Sequence, residues 1–194
     1  MRGEFMRELE YPFDGELILK KSKKLKRALS EERSDFLEKR IAVLGGSTTH
    51  DIIRILELFL LDQGIRPVFY ESEYAQYWQD VLFDNPELLS FAPDLIFIHT
   101  SNRNITAWPS VSDSSERVEE LLSEQYSHFR VMWDKIAQVY HCPVIQNNFE
   151  YPFYRLLGNQ EGVFPQGRIS FINRLNEKFY QYAREHGNFY IHDI

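Results

Sequence analysis

Cysteine is almost missing from this sequence: Cys142 stands alone among 194 residues. A single thiol excludes an internal disulfide and fits a reducing compartment, so the cytoplasm is the expected location. No uninterrupted apolar run approaches the roughly 20 residues of a membrane-spanning helix, and no cationic stretch followed by an apolar segment opens the chain. Excess positive charge is also lacking. The net charge is −7, which repels phosphate backbones and anionic membranes and argues against nucleic acid or a lipid surface as partner. There is no internal repeat, no low-complexity tract and no linker.

What remains is the composition of an ordinary globular domain. Apolar residues make up 43% and charged residues 26%, and the length suits one domain with a substantial core rather than two. Aromatic content is 15%, mostly 15 Phe and 11 Tyr, and rings of that size carry much buried area. Residues 1–14 are set apart as an N-terminal extension and 15–194 as the single domain. The opening MRGEFM holds two methionines, so Met6 is an alternative start and Met1–Phe5 carry no expectation of structure.

Along the chain, Ile18, Leu25, Leu29 and Phe36 recur at helical spacing and predict a helix over 16–39. Its basic run, from Lys20 to Arg27, is expected to be a solvated face balanced by Glu31, Glu32 and Asp35. Then the pattern changes. Short apolar runs over 41–44, 67–70, 95–98, 143–145 and 189–191 predict five strands. Helices are expected over 48–62, 74–83, 115–140 and 169–185, the first capped by Thr48 or Thr49 with Ile52, Ile55, Leu56, Phe59 and Leu60 on its inner face. Strands that are continuously apolar are buried on both faces, so the prediction is a parallel sheet between two helical layers. Right-handed crossovers favour the strand order 2-1-3-4-5 of flavodoxin-like folds.

Polar residues then fall in a telling place. Each strand ends, on its carboxyl side, in hydroxyls, amides or imidazoles: Ser47-Thr48-Thr49-His50, Glu71-Ser72-Glu73, His99-Thr100-Ser101-Asn102-Arg103-Asn104, Gln146-Asn147-Asn148 and His192-Asp193. In an open parallel sheet these ends share the edge where ligands bind. Loops are polar in any case. Two features favour a site: the glycine pair beside Ser47, and amides that orient a ligand without burying full charges. Gly45-Gly46-Ser47 allows close backbone approach, and the helix behind it aims amide groups at an anion. It has neither the lysine of a phosphate-binding loop nor the third glycine of a dinucleotide fingerprint, which argues against a nucleotide site. Ser47 is either a nucleophile or a helix cap. His50, His99 and His192 are candidate bases, whereas His128, His141 and His186 sit at helical positions and are expected to be structural. No spacing matches a metal site, and Cys142 beside Pro143 is expected to be a core thiol.

Gly46-Ser47 after the first strand and Asn102 after the third resemble the SGNH or GDSL hydrolases. That resemblance implies a three-layer SGNH-hydrolase-like fold, with Ser47 attacking an ester carbonyl and Asn102 holding the oxyanion. The stretches IAVLGGSTT, FYESEYAQY, IFIHTSNRN, PVIQNNFEYPFYRLLGN and FYIHDI are similar, more specifically, to the N-terminal region of FkbH-like proteins, subclass IIIC of the haloacid dehalogenase superfamily. This second resemblance implies work on glyceryl units bound to an acyl carrier protein, drawn from a phosphorylated glycerate for polyketide or polysaccharide biosynthesis. The phosphatase step belongs to a following domain with an Asp-x-Asp-x-Thr motif and Mg²⁺. That motif does not occur here, so no cofactor is expected in this chain.

The hydrolase pattern is broken in three places. Thr100-Ser101-Asn102-Arg103 stands where Gly-x-Asn-Asp is usual, and no glycine near Ser72 supplies the second oxyanion amide. Counting from Asp193, the histidine of Asp-x-x-His would fall beyond Ile194, which leaves His50, His99 or His192, with His192 the foremost, as substitute base. Arg103 in place of an acid points to a carboxylate or phosphate ligand. The expectation is a recognition domain in which Gly46, Thr48, Arg103, Gln146, Asn147, Asn148 and Asp193 contact a small carboxylate or phosphorylated glycerate for a neighbouring dehalogenase-type domain or a carrier protein. The alternatives are a hydrolase or acyltransferase built on Ser47, Asn102 and His192, and a scaffold without chemistry.

Overall fold

A computed structural model describes residues 8–194 of the chain. Met1–Phe5 and the first half of the 1–14 extension lie outside the described residues. Helix α1, Gly15–Glu32, starts where the Asp14 carboxylate accepts the Leu17 N–H at 3.0 Å. It buries Ile18, Leu25 and Leu29 against Leu58 and Leu61 of α2, His50–Asp62.

The helix expected over 16–39 therefore ends early. Residues 37–40 belong instead to strand β1, Leu37–Gly45, paired in parallel with β2, Ile65–Glu71, from Leu37↔Ile65 onward. Ladder hydrogen bonds override the local helical spacing. Phe36 is held off the helix, packed on the α1–α2 cluster under the Arg66 guanidinium at 4.6 Å.

The remaining elements follow in alternation: α3 (Tyr77–Leu82), α4 (Pro86–Phe91), β3 (Leu95–His99), α5 (Ser115–Val139), β4 (Val144–Asn147), α6 (Arg168–Glu185) and β5 (Phe189–His192). The short α4 was not anticipated, although its signals are local: Asn85 accepts the Glu87 and Leu88 N–H groups, and Pro86 is the first helical residue. The five strands are all parallel in the order β2-β1-β3-β4-β5, as expected.

The two faces of the sheet are filled unequally. Ala42, Leu44, Ile96, Ile98, Val144 and Phe189 point to the side of α3, α5 and α6, where Phe129, Trp133 and Phe179 fill the main core. On the α2 side the buried apolar cluster of the sheet is Ile41, Val43 and Phe97. An open apolar groove of about 700 Å³ runs there between α2 and strands β4 and β5, floored by Phe97, Ile145 and Ile191. Continuous apolar strands predicted cover on both faces. The structure provides it fully on one face and over β1 and β2 on the other.

Within α2 the buried pair is Leu58 and Leu61, whereas Ile52, Ile55, Leu56, Phe59 and Leu60 are half-buried along the groove. The helix thus presents two apolar stripes, and the more buried one faces α1. No helix among the described residues is long and apolar enough to cross a membrane.

Candidate functional site

The carboxyl ends of the strands form one continuous polar rim, built outward from the turn after β1. The Gly46 N–H donates to the His99 carbonyl at 2.8 Å, and the Gly45 N–H donates to the buried Ser72 hydroxyl, also at 2.8 Å. Asn104 closes the turn from above: its Nδ2 donates to the Gly46 carbonyl at 3.0 Å, and its Oδ1 accepts the Ser101 N–H at 2.9 Å. A Cβ on residue 46 would lie 2.3 Å from that Oδ1. Gly46, expected as a ligand contact, is therefore spent on the approach of Asn104.

Ser47 is half-exposed, and its hydroxyl has no hydrogen-bond partner among the described residues. Thr49 occupies the cap position of α2 but does not cap it. Its hydroxyl donates to Glu71 Oε1 at 2.7 Å instead. Thr48 is exposed beside Ser47. His50 is the exposed first residue of α2, with Nδ1 3.8 Å from Glu71 Oε2.

The segment after β3 carries Asn102 and Arg103 in a 3₁₀ turn, Asn102–Asn104, capped by Ser101. The Asn102 N–H donates to Glu150 Oε2 at 3.1 Å. Its side-chain amide is half-exposed, on the strand end next to Ser47. Arg103 is exposed and has no ion-pair partner among the described residues. Sequence reasoning selected Asn102 and passed over Asn104, yet Asn104 is the amide that holds the Ser47 turn. The repeat of asparagine in Asn102-Arg103-Asn104 was the available signal.

Gln146 and Asn147 require a correction. Both belong to β4, paired with Ile191 and His192, and both are 0% exposed. The Asn147 Oδ1 accepts the Thr100 N–H at 2.8 Å, and its Nδ2 donates to the carbonyls of Thr100 and Asn148. Gln146 Nε2 donates to Thr100 Oγ1 at 3.0 Å, and its Oε1 accepts the Trp133 indole N–H at 3.3 Å. These amides are saturated inside the protein and tie β3 to β4. They do not face a ligand.

Asn148 is 3% exposed, and its Nδ2 donates to the Tyr180 hydroxyl at 2.7 Å and to Asp193 Oδ1. Tyr180 also donates to Asp193 Oδ1, at 3.2 Å. Asp193 is thus bound to an amide and a phenol and orients no imidazole. Tyr180, mid-helix on α6, had no local signal in the sequence.

No histidine is hydrogen-bonded to Ser47 among the described residues. His99 and His192 both flank the Phe97 ring, at 5.9 and 6.1 Å between ring centres, on the α2 side of the sheet. Burial holds the His99 imidazole below its ordinary range and His192 adds to this, while Glu150 works against it. His192 lies on β5 and Ser47 follows β1, three strand positions away, roughly 14 Å at the usual spacing. A general base must reach within hydrogen-bond distance of the hydroxyl, so His192 as expected base is overturned. Ser47, Asn102 and Asp193 do share the rim, in a row rather than as a converging set. Among the described residues no group of three or more His, Cys, Asp or Glu side chains is placed to hold a metal ion.

Comparisons with known proteins place this geometry. Residues 40–194 match the family model described as FkbH, N-terminal domain. Among solved structures, the N-terminal part of the protein BF1531 from Bacteroides fragilis, containing a phosphatase domain complexed with Mg, superimposes with a TM-score of 0.72 at 19% identity. That alignment covers 89% of this chain and 45% of the other, so this chain spans under half of that protein's solved length. The crystal structure of TesA aligns with a TM-score of 0.45 at 13% identity, over 77% of this chain and 74% of that one. No curated protein matches the sequence.

Proposed function

Because the chain belongs to the FkbH N-terminal-domain family, matched over residues 40–194, we propose that it is a recognition domain for a small carboxylate or phosphorylated glycerate. The observation that carries this reading is the contrast between two neighbours on the rim. The Ser47 hydroxyl is hydrogen-bonded to no base among the described residues, and a serine without an activating base is a poor nucleophile. Arg103, on the adjacent strand end, is exposed and unpaired among the described residues, and a guanidinium fork matches a carboxylate or phosphate. Asn102, next to Arg103 in the chain, and Thr48, next to Ser47, add neutral donors on the same strand ends.

The Bacteroides relative contains a phosphatase domain complexed with Mg. In our reading the phosphoryl chemistry and the Mg²⁺ belong to a domain of that kind, and this domain presents the ligand, or an acyl carrier protein bearing it, in the cytoplasm.

Isothermal titration with 3-phosphoglycerate is the direct test. Saturable binding that Arg103→Ala abolishes, with the melting temperature unchanged, supports recognition. Labelling of the wild type but not of Ser47→Ala by a serine-reactive phosphonate would overturn it in favour of a hydrolase or acyltransferase. Neither binding nor labelling would leave the scaffold reading in its place.

A further inference from the structure

Beyond Arg103 the rim holds a hollow of different chemistry. A cavity of about 390 Å³ opens between the segment after β4, the α6 helix and the end of β5. Its polar lining is Asn148, Glu150, Tyr151, Asn173, Asn176, Tyr180 and Asp193, with the Asn176 amide spent on the Phe149 backbone, and no lysine or arginine lines it. Its size is toward the lower end for small-molecule sites.

Most of its polar groups are already oriented by internal bonds. Glu150 Oε2 accepts the Asn102 N–H at 3.1 Å, Asp193 Oδ1 accepts from Asn148 and Tyr180, and the Tyr151 hydroxyl donates to Asn173 Oδ1 at 2.7 Å. What stays unengaged is a matched set. Glu150 Oε1, Asp193 Oδ2 and the Tyr151 oxygen are free to accept, and Asn173 Nδ2 is free to donate.

We infer that this cavity binds a neutral polyhydroxylated ligand, a sugar or polyol, independently of the anion site at Arg103. The reasoning is by donor and acceptor. An anion would face two carboxylates with no cation to offset them. An apolar molecule would strand the free carboxylate oxygens. An ammonium ion suits the carboxylates but sets its donors against the Asn173 N–H. Hydroxyl groups both donate and accept, which meets every free atom. The ring of Tyr151 and the buried Phe149 supply apolar wall for the carbon skeleton of such a ligand.

The test is a titration of the isotope-labelled full chain, followed by backbone amide shifts, with glucose, ribitol, ethanolamine and 3-phosphoglycerate as probes. Expected are saturable millimolar shifts at Asn148, Asn173 and Tyr180 with a neutral polyol, unchanged in Arg103→Ala. Asn173 is exposed, so Asn173→Ala should keep the dispersed spectrum while weakening polyol binding about fivefold. Absence of saturation with both polyols, tighter binding of ethanolamine, or full affinity in Asn173→Ala overturns the inference. Loss of phosphoglycerate binding alone would count against the Arg103 reading and leave this one intact.

Discussion

Asn104 and Gly46 are locked together: the asparagine Nδ2 donates to the glycine carbonyl at 3.0 Å, and its Oδ1 sits where a residue-46 Cβ would be, 2.3 Å away. The contact joins the end of β3 to the turn that carries Ser47, and it explains why a glycine stands there although its φ is not positive. Gly46→Ala must push Asn104 out and break both of its hydrogen bonds. We expect a loss of about 1–3 kcal/mol in chemical denaturation. Asn104→Ala should lose a similar amount and leave room for alanine at 46, so the double variant should cost less than the sum of the two. Additive costs would show that the two residues are not coupled.

The buried amide network makes the opposite prediction from that at an exposed ligand contact. Asn147→Ala and Gln146→Ala remove groups that satisfy the backbone of Thr100 and the indole of Trp133. Each should destabilise the fold by about 2–4 kcal/mol, whereas Arg103→Ala, on the surface, should stay within about 0.5 kcal/mol. Thermal melts of the three variants check this. Wild-type stability in Asn147→Ala would mean that the amide is not holding β3 to β4.

Two histidines give the fold a pH dependence of defined sign. Burial holds His99 and His128 below the ordinary 6.5. His99 faces Phe97, His192 and Glu150, and His128 is stacked on Trp78 and against Phe129. Above about 6.5 both are neutral folded or unfolded. As the pH falls through that value towards the lowered folded-state values, the unfolded chain takes up protons that the folded chain resists, and stability drops. The denaturant midpoint should therefore fall between pH 7.5 and 5.5, and the fall should shrink in the His99→Gln/His128→Gln double variant. An equal slope in both proteins would assign the dependence to other groups.

Cys142 should be chemically silent. The thiol is 9% exposed, and burial pushes its pKa up to about 11. The thiolate is the reactive form. Treatment with a disulfide reagent at pH 8 should therefore label one thiol per chain in denaturant and nearly none in the native protein. Rapid native labelling would contradict the burial of Cys142 in the main core.

The order of the strands, their parallel five-stranded sheet and the placing of polar residues along its carboxyl edge were carried by the sequence, because apolar period and turn composition are local properties of the chain. Ser47, Asn102 and Asp193 stand on that edge as their positions after β1, β3 and β5 require. Tertiary structure decided what each polar group does there. Gln146 and Asn147 look like loop amides in a string of letters, yet ladder pairing draws them into β4 and spends their hydrogen bonds indoors. Phe36 fits a helical stripe, but residues 37–40 are claimed by the longer reach of β2. His192 and Ser47 end strands alike, and only the strand order puts three spacings between them, because distance across a sheet depends on which strands are neighbours and not on how the chain spells their ends.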